Sequence, residues 1–228
     1  MINTHTHTKY SSDGVDSIDR ICEFAILKTL KGVAFTDHAC ICNFVKTDNF
    51  NRLINCKNDV SLAKETYGDK LKILFGIEIS ERFINPTLSD SLLKIDDLDV
   101  IICSLHDDLP IENLGFNSGL KLNDFKKFTL SQIKGVLDIY YDILNKTAKD
   151  SDYDILAHIT YPFRYINCRD KVNFDVTLVL DKIIDILKII INRNKALELN
   201  TSMADEDFFM PSFEILKIYR DLGGKWSR

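Results

Sequence analysis

The chain has 228 residues, 45% of them hydrophobic and 28% charged, which is ordinary for a globular protein. Its 29 basic and 34 acidic side chains leave a formal charge of −5, arguing against a basic nucleic-acid footprint. No secretory signal or bilayer-length apolar run is visible, and six dispersed cysteines lack the density of a disulfide scaffold, so one reduced, cytoplasmic, non-membrane domain over residues 1–228 is expected.

A short strand is expected over Met1–His7, then a helix capped by Asp16 that runs to about Leu30 and stops at Gly32. Val33–Thr36 reads as a buried strand ending at Asp37-His38, and a polar, helix-compatible stretch follows to Tyr67-Gly68. Lys72–Ile79 is the next strand and carries Gly76-Ile77-Glu78 near its end. A short helix precedes a strand over Asp99–Ser104, which delivers His106. The segment from Asp107 to Asp124, with Pro110, Gly115 and Gly119, has loop chemistry and the length of a lid or binding loop. Helical periodicity returns over Leu130–Lys149, with Ile133, Val136, Leu137, Tyr140, Tyr141 and Leu144 on one side. A strand over Asp154–His158, a helix over Val176–Asn192, a strand over Ala196–Thr201 and a helix over Ser212–Leu222 complete the series.

Strand and helix alternate throughout, which indicates βαβ units and a parallel sheet covered by helices. The candidate ligands come from the ends of several strands, and a closed barrel gathers such residues at its C-terminal mouth better than an open sheet does. No phosphate-cradling glycine motif points to a nucleotide cofactor.

All five histidines (His5, His7, His38, His106 and His158) fall where strands run out. Imidazole is the commonest metal ligand, and His5 and His7, two apart on a strand, leave the same face. Glu78 is a strand-end carboxylate that needs a partner if buried; a metal is one, a satisfied core acid or helix cap the plainer alternative. Asp13 reads either as a hard oxygen ligand or as the start of an Asp13-Gly14 turn. Cys40-Ile41-Cys42 follows His38, but the second cysteine pair of a four-cysteine site is missing. Asp107-Asp108 reads chiefly as solvated loop acids, with attraction of a substrate ammonium as the alternative.

His5-Thr6-His7-Thr8 with Ser12-Asp13-Gly14, then Thr36-Asp37-His38, Gly76-Ile77-Glu78, Ser104-Leu105-His106, Ala157-His158 and Glu198-Leu199-Asn200 resemble, in order, the polymerase-and-histidinol-phosphatase (PHP) metallohydrolases. The insert after His106 and Tyr161-Pro162-Phe163-Arg164-Tyr165 are most similar to the histidinol-phosphatase branch. The resemblance implies an α/β fold, a distorted (β/α)7 TIM-like barrel, holding two or three divalent ions of zinc, iron or manganese. It implies that His5 and His7 bind one ion, that Glu78 bridges to a second completed by His106 and His158, and that Asp13 and His38 hold a third. Arg164 matches a phosphate-binding arginine; a surface arginine beside aromatic rings is the alternative. The family's first motif usually opens with Asp where this chain has Asn3. A Gly-Gly like Gly223-Gly224 is followed in the family by a seventh strand ending in a Gly-Ser-Asp-Ala-His-like motif, which the sequence to Arg228 lacks, so the last strand is read as truncated.

The activity implied is metal-dependent hydrolysis of a small phosphorylated substrate, L-histidinol phosphate, in histidine biosynthesis. No catalytic side chain is assigned beyond the metal centre, no nucleic-acid or membrane partner is expected, and the oligomeric state is open. A PHP-type phosphodiesterase or nuclease, or a catalytically impaired remnant, are the alternatives.

Overall fold

A computed structural model describes residues 1–42, 44, 49–204 and 207–224. The tail at 225–228, where the expectation of a truncated last strand falls, lies outside the described residues. The chain groups into two compact units, Met1–Cys103 and a second from Ser104 onward. Each is a strand–helix alternation of the α/β class.

In the first unit the elements are β1 (Ile2–Thr6), α1 (Ile18–Leu27), β2 (Gly32–Cys40), α2 (Asn49–Tyr67), β3 (Lys72–Ser80), α3 (Pro86–Leu92) and β4 (Val100–Ser104). The strands lie in the order β1-β2-β3-β4, and β1/β2 and β2/β3 pair in parallel. Parallel neighbours require a crossover, which α1 and α2 provide. Alternation sorts the strands into two faces. Phe35, Ile77 and Ile79 are buried on one, and Asp37 shares it, accepting from Cys56 of α2 at 3.2 Å. Thr36, His38, Gly76 and Glu78 share the other. A Cβ on Gly76 would meet the Val100 carbonyl oxygen at 2.4 Å and Thr36 Cγ2 at 2.9 Å. Only glycine lets β3 approach so closely.

The ends of α1 differ from expectation. Ser17, not Asp16, is the N-cap, its Oγ accepting from the Arg20 N–H at 3.3 Å; the Asp16 carbonyl accepts instead from Lys9 N–H at 2.9 Å. The helix stops before Leu30 because Thr29 turns left-handed at φ 55. Leu30 N–H then reaches back to Ala25 O and Thr29 N–H to Ile26 O, both at 2.9 Å, the double bond of a Schellman stop.

The second unit contains α4 (Leu130–Asp150), β5 (Ile155–Leu156), α5 (Leu180–Asn192), β6 (Ala196–Leu197), β7 (Asn200–Met203), β8 (Phe208–Met210) and α6 (Phe213–Asp221). A reciprocal Thr129–Gln132 capping box starts α4, and its expected apolar side is buried in full. It packs on α5, which buries Ile183, Ile186, Leu187 and Ile190. β5 and β6 pair in parallel.

Three expectations are corrected here. The strand over Asp154–His158 is ordered only at Ile155–Leu156, since His158 itself leaves the extended region at φ 26. The strand over Ala196–Thr201 divides: β6 pairs with β5, while β7 turns away to pair antiparallel with the unforeseen β8. The helix from Val176 opens as a 3-10 turn over Val176–Val179 before α5. The 107–124 segment is built of short turns, with Leu109, Ile111, Phe116 and Leu120 buried. No helix among the described residues is long and apolar enough to cross a membrane.

Candidate metal centre

Strand register builds the centre of the first unit. His38 of β2 and Glu78 of β3 are direct partners in the parallel ladder, so their side chains emerge side by side. At the end of β1, the period of two carries His5 and His7 to the same place. Glu78 Oε2 lies 2.8 Å from His38 Nδ1, 3.2 Å from His7 Nε2 and 3.4 Å from His5 Nε2. Its side chain is 1% exposed, and the three imidazoles are only partly covered. His7, His38 and Glu78 offer ligand atoms within 4.8 Å of one another.

The donor set fits a divalent ion. Nε2 of His5 and Nε2 of His7 face each other at 3.1 Å. Two ligand nitrogens at about 2.0–2.1 Å from one ion, subtending roughly 90–110°, would stand about 3.0–3.4 Å apart. The tautomer agrees. His7 Nδ1 lies 3.0 Å from Asp13 Oδ1, and a carboxylate can only accept, so Nδ1 carries a proton and Nε2 is the nitrogen left for an ion.

Asp13, half exposed, touches both rings, its other oxygen lying 3.3 Å from His38 Nε2. Hydrogen bonds from His38 and His7 hold its carboxyl far below the ordinary range, although burial opposes this. Burial disfavours charge on His38, yet the Glu78 charge and the Asp13 hydrogen bond outweigh it and raise its pKa. His7 is raised in the same way, burial again opposing and Asp13 and Glu78 prevailing. A pocket that draws protons onto its imidazoles is one a metal cation would compete for.

Behind this face lies a support that residue types alone did not reveal. Asp37, 4% exposed, accepts from Thr8 N–H and Thr8 Oγ–H, each at 2.7 Å. It ties the turn after His7 to β2. The Ser11 hydroxyl likewise accepts from His38 N–H at 2.9 Å, and Asn3 Oδ1 from His5 N–H at 3.2 Å. Cys40 hydrogen-bonds to His38, so it serves the ring without a second cysteine pair.

In the second unit His106 and His158 meet, Nε2 to Nε2 at 3.3 Å, a separation that again suits two ligands of one ion. Glu198 accepts from His158 N–H at 2.7 Å and from Asn200 Nδ2 at 3.1 Å, fixing the left-handed turn at His158. The ring of Tyr161 sits 5.0 Å from that of His106 and 5.3 Å from that of His158. Arg164 opens an irregular helix, Arg164–Arg169, and is partly exposed. Asp107 is partly covered and Asp108 is exposed.

The model of the PHP domain family matches residues 3–202 of the chain. Among curated proteins, a probable histidinol-phosphatase of Clostridium acetobutylicum is 26% identical over 234 residues, covering 99% of this chain and 83% of that protein. A histidinol-phosphatase of Lactococcus lactis is 24% identical, with 99% and 81% covered. Among solved structures, histidinol phosphate phosphatase of Lactococcus lactis, complexed with zinc, L-histidinol and phosphate, superposes with a TM-score of 0.75 at 18% identity, over 99% of this chain and 82% of that one. A putative histidinol phosphatase of Listeria monocytogenes gives a TM-score of 0.78 at 16% identity, over 98% and 92%.

Proposed function

This chain belongs to the PHP domain family, and we propose that it is a metal-dependent phosphomonoesterase that hydrolyses L-histidinol phosphate to L-histidinol and phosphate in histidine biosynthesis. One observation carries the reading: three imidazoles converge on one oxygen of the buried Glu78 carboxylate. The names of the relatives supply the substrate.

In this reading the fold is a distorted (β/α)7 barrel of the cytoplasm. His5, His7 and Glu78 would hold one divalent ion, His106 and His158 would hold another, and Asp13 and His38 a third. Zinc, iron and manganese all suit a mixed imidazole and carboxylate set. When bound, such ions supply Lewis acidity for phosphoryl oxygens and lower the pKa of water.

The chain's own groups do the rest. Arg164 offers a planar fork of donors to the phosphate oxygens. Asp13 keeps the proton of His7 on Nδ1, and Glu198 fixes the backbone that presents His158. No side chain is assigned to protonate the departing alcohol.

Release of phosphate from L-histidinol phosphate, measured beside hydrolysis of a single-stranded oligonucleotide, tests the reading. Phosphate release that stops on chelation and returns with added metal supports it. Cleavage of the oligonucleotide alone would shift the reading to a phosphodiesterase.

A further inference from the structure

Strand β2 does not end at His38. It runs on to Cys40, and the period of two that sets Thr36 and His38 on one face sets Cys40 there as well. The parallel ladder continues with it, His38 opposite Glu78 and Cys40 opposite Ser80. The Ser80 hydroxyl is bonded to the Glu81 carboxylate, and the other side chain of this last rung is the Cys40 thiol.

His38 is the hub of the polar groups on this face. Its Nδ1 lies 2.8 Å from Glu78 Oε2, its Nε2 lies 3.3 Å from Asp13 Oδ2, and Cys40 hydrogen-bonds to the ring. Ligand atoms of His38 and Cys40 stand within 4.8 Å of each other. An ion about 2.0–2.1 Å from an imidazole nitrogen and about 2.3 Å from a thiolate, in tetrahedral geometry, sets the two donors roughly 3.6 Å apart, inside that reach. Two donors that share a proton are placed to share an ion instead, the thiol proton passing to water.

The other cysteines offer no such partnership. Cys22, Cys56, Cys103 and Cys168 are buried, and only Cys40 and Cys42 are partly exposed. Cys42 lies two residues beyond the end of β2. A sulfur donor also changes metal preference. Imidazole and carboxylate together accept zinc, iron or manganese, whereas a thiolate favours zinc over manganese.

We propose that Cys40 is a sulfur ligand of the ion held at His38, and that it makes this position prefer a thiophilic ion such as zinc to manganese. The inference rests on the metal-dependent hydrolase reading and adds which metal one of its positions selects.

Cobalt(II) is the probe, because a thiolate bound to it gives an intense near-ultraviolet charge-transfer band that nitrogen and oxygen ligands do not. Wild type loaded with cobalt is expected to show the band, Cys42→Ser to keep it and Cys40→Ser to lose it. Zinc added to the cobalt form should abolish the band, and an equal amount of manganese should leave it. Iodoacetamide labelling of wild type, read by peptide mass spectrometry, needs no variant to fold. Zinc should suppress labelling of Cys40 and manganese should not, since a metal-bound thiolate is withheld from the reagent. Wild type that takes up no cobalt, cobalt uptake without the band, a band that survives in Cys40→Ser, or equal labelling of Cys40 with and without zinc overturns the inference. A band that manganese removes as readily as zinc overturns the selectivity. Phosphate release from L-histidinol phosphate by the zinc form is measured in parallel. Its absence overturns the hydrolase reading, and the cobalt band still decides the role of Cys40.

Discussion

Glu78 Oε2 stands 2.8 Å from His38 Nδ1, and the two residues are register partners in adjacent parallel strands. The ladder that holds the sheet together therefore also sets the spacing of the centre. Replacing Glu78 by Gln keeps the shape but removes the charge that balances metal cations. The variant is expected to lose bound metal and to lower phosphatase activity by at least about 100-fold, as removal of a key electrostatic group commonly does. Elemental analysis of the purified variant beside wild type, with phosphate release, checks this.

Asp37 accepts two hydrogen bonds from Thr8 and one from Cys56 in a buried position. Asp37→Ala leaves those donors without their acceptor, which costs about 1–3 kcal/mol for each buried group. Urea unfolding should show a lower midpoint, and the turn after His7 should become more susceptible to proteolysis. An unchanged midpoint would remove Asp37 from its supporting role.

Thr29 holds the left-handed position at the end of α1 that glycine occupies most easily. A β-branched residue there costs about 1–2 kcal/mol, part of which glycine returns as unfolded-chain entropy. Thr29→Gly is thus expected to raise the melting temperature by a few degrees. Gly76→Ala is expected to act oppositely, because its methyl group would strike the Val100 backbone; overpacking of this kind costs about 1–3 kcal/mol. Calorimetric melts of both variants give the two signs in one experiment.

Asp170 titrates below the ordinary carboxylate range, because Arg169 hydrogen-bonds to it and Phe125 N–H donates to it, although burial opposes the shift. A carboxyl depressed in the folded state contributes stability above its unfolded pKa and loses it as pH falls through the folded one. Wild type should therefore lose stability on acidification below about pH 4 more steeply than Asp170→Asn, which has no such proton to bind. Identical acid limbs in chemical unfolding at stepped pH would contradict the assignment.

Much of this centre was legible because strand chemistry has a short period. His5 and His7 announce a shared face by spacing alone, and the apolar side of α4 is written in Ile133, Val136, Leu137, Tyr140, Tyr141 and Leu144. What escaped notice depends on contacts between distant residues. Asp37 looks like any acid in a Thr-Asp-His motif until Thr8 and Cys56 are seen to need it. The three-residue β8 is too short to show a period, and without it β7 reads as a continuation of β6. Asp16 and Ser17 are both good caps, and only the Arg20 N–H distinguishes them.

The most direct measurement is an anomalous difference map from crystals grown with zinc or manganese. A peak is expected about 2.0–2.2 Å from Nε2 of both His5 and His7 and from a Glu78 oxygen. Crystals of an active protein whose metal lies away from those three residues would contradict the account.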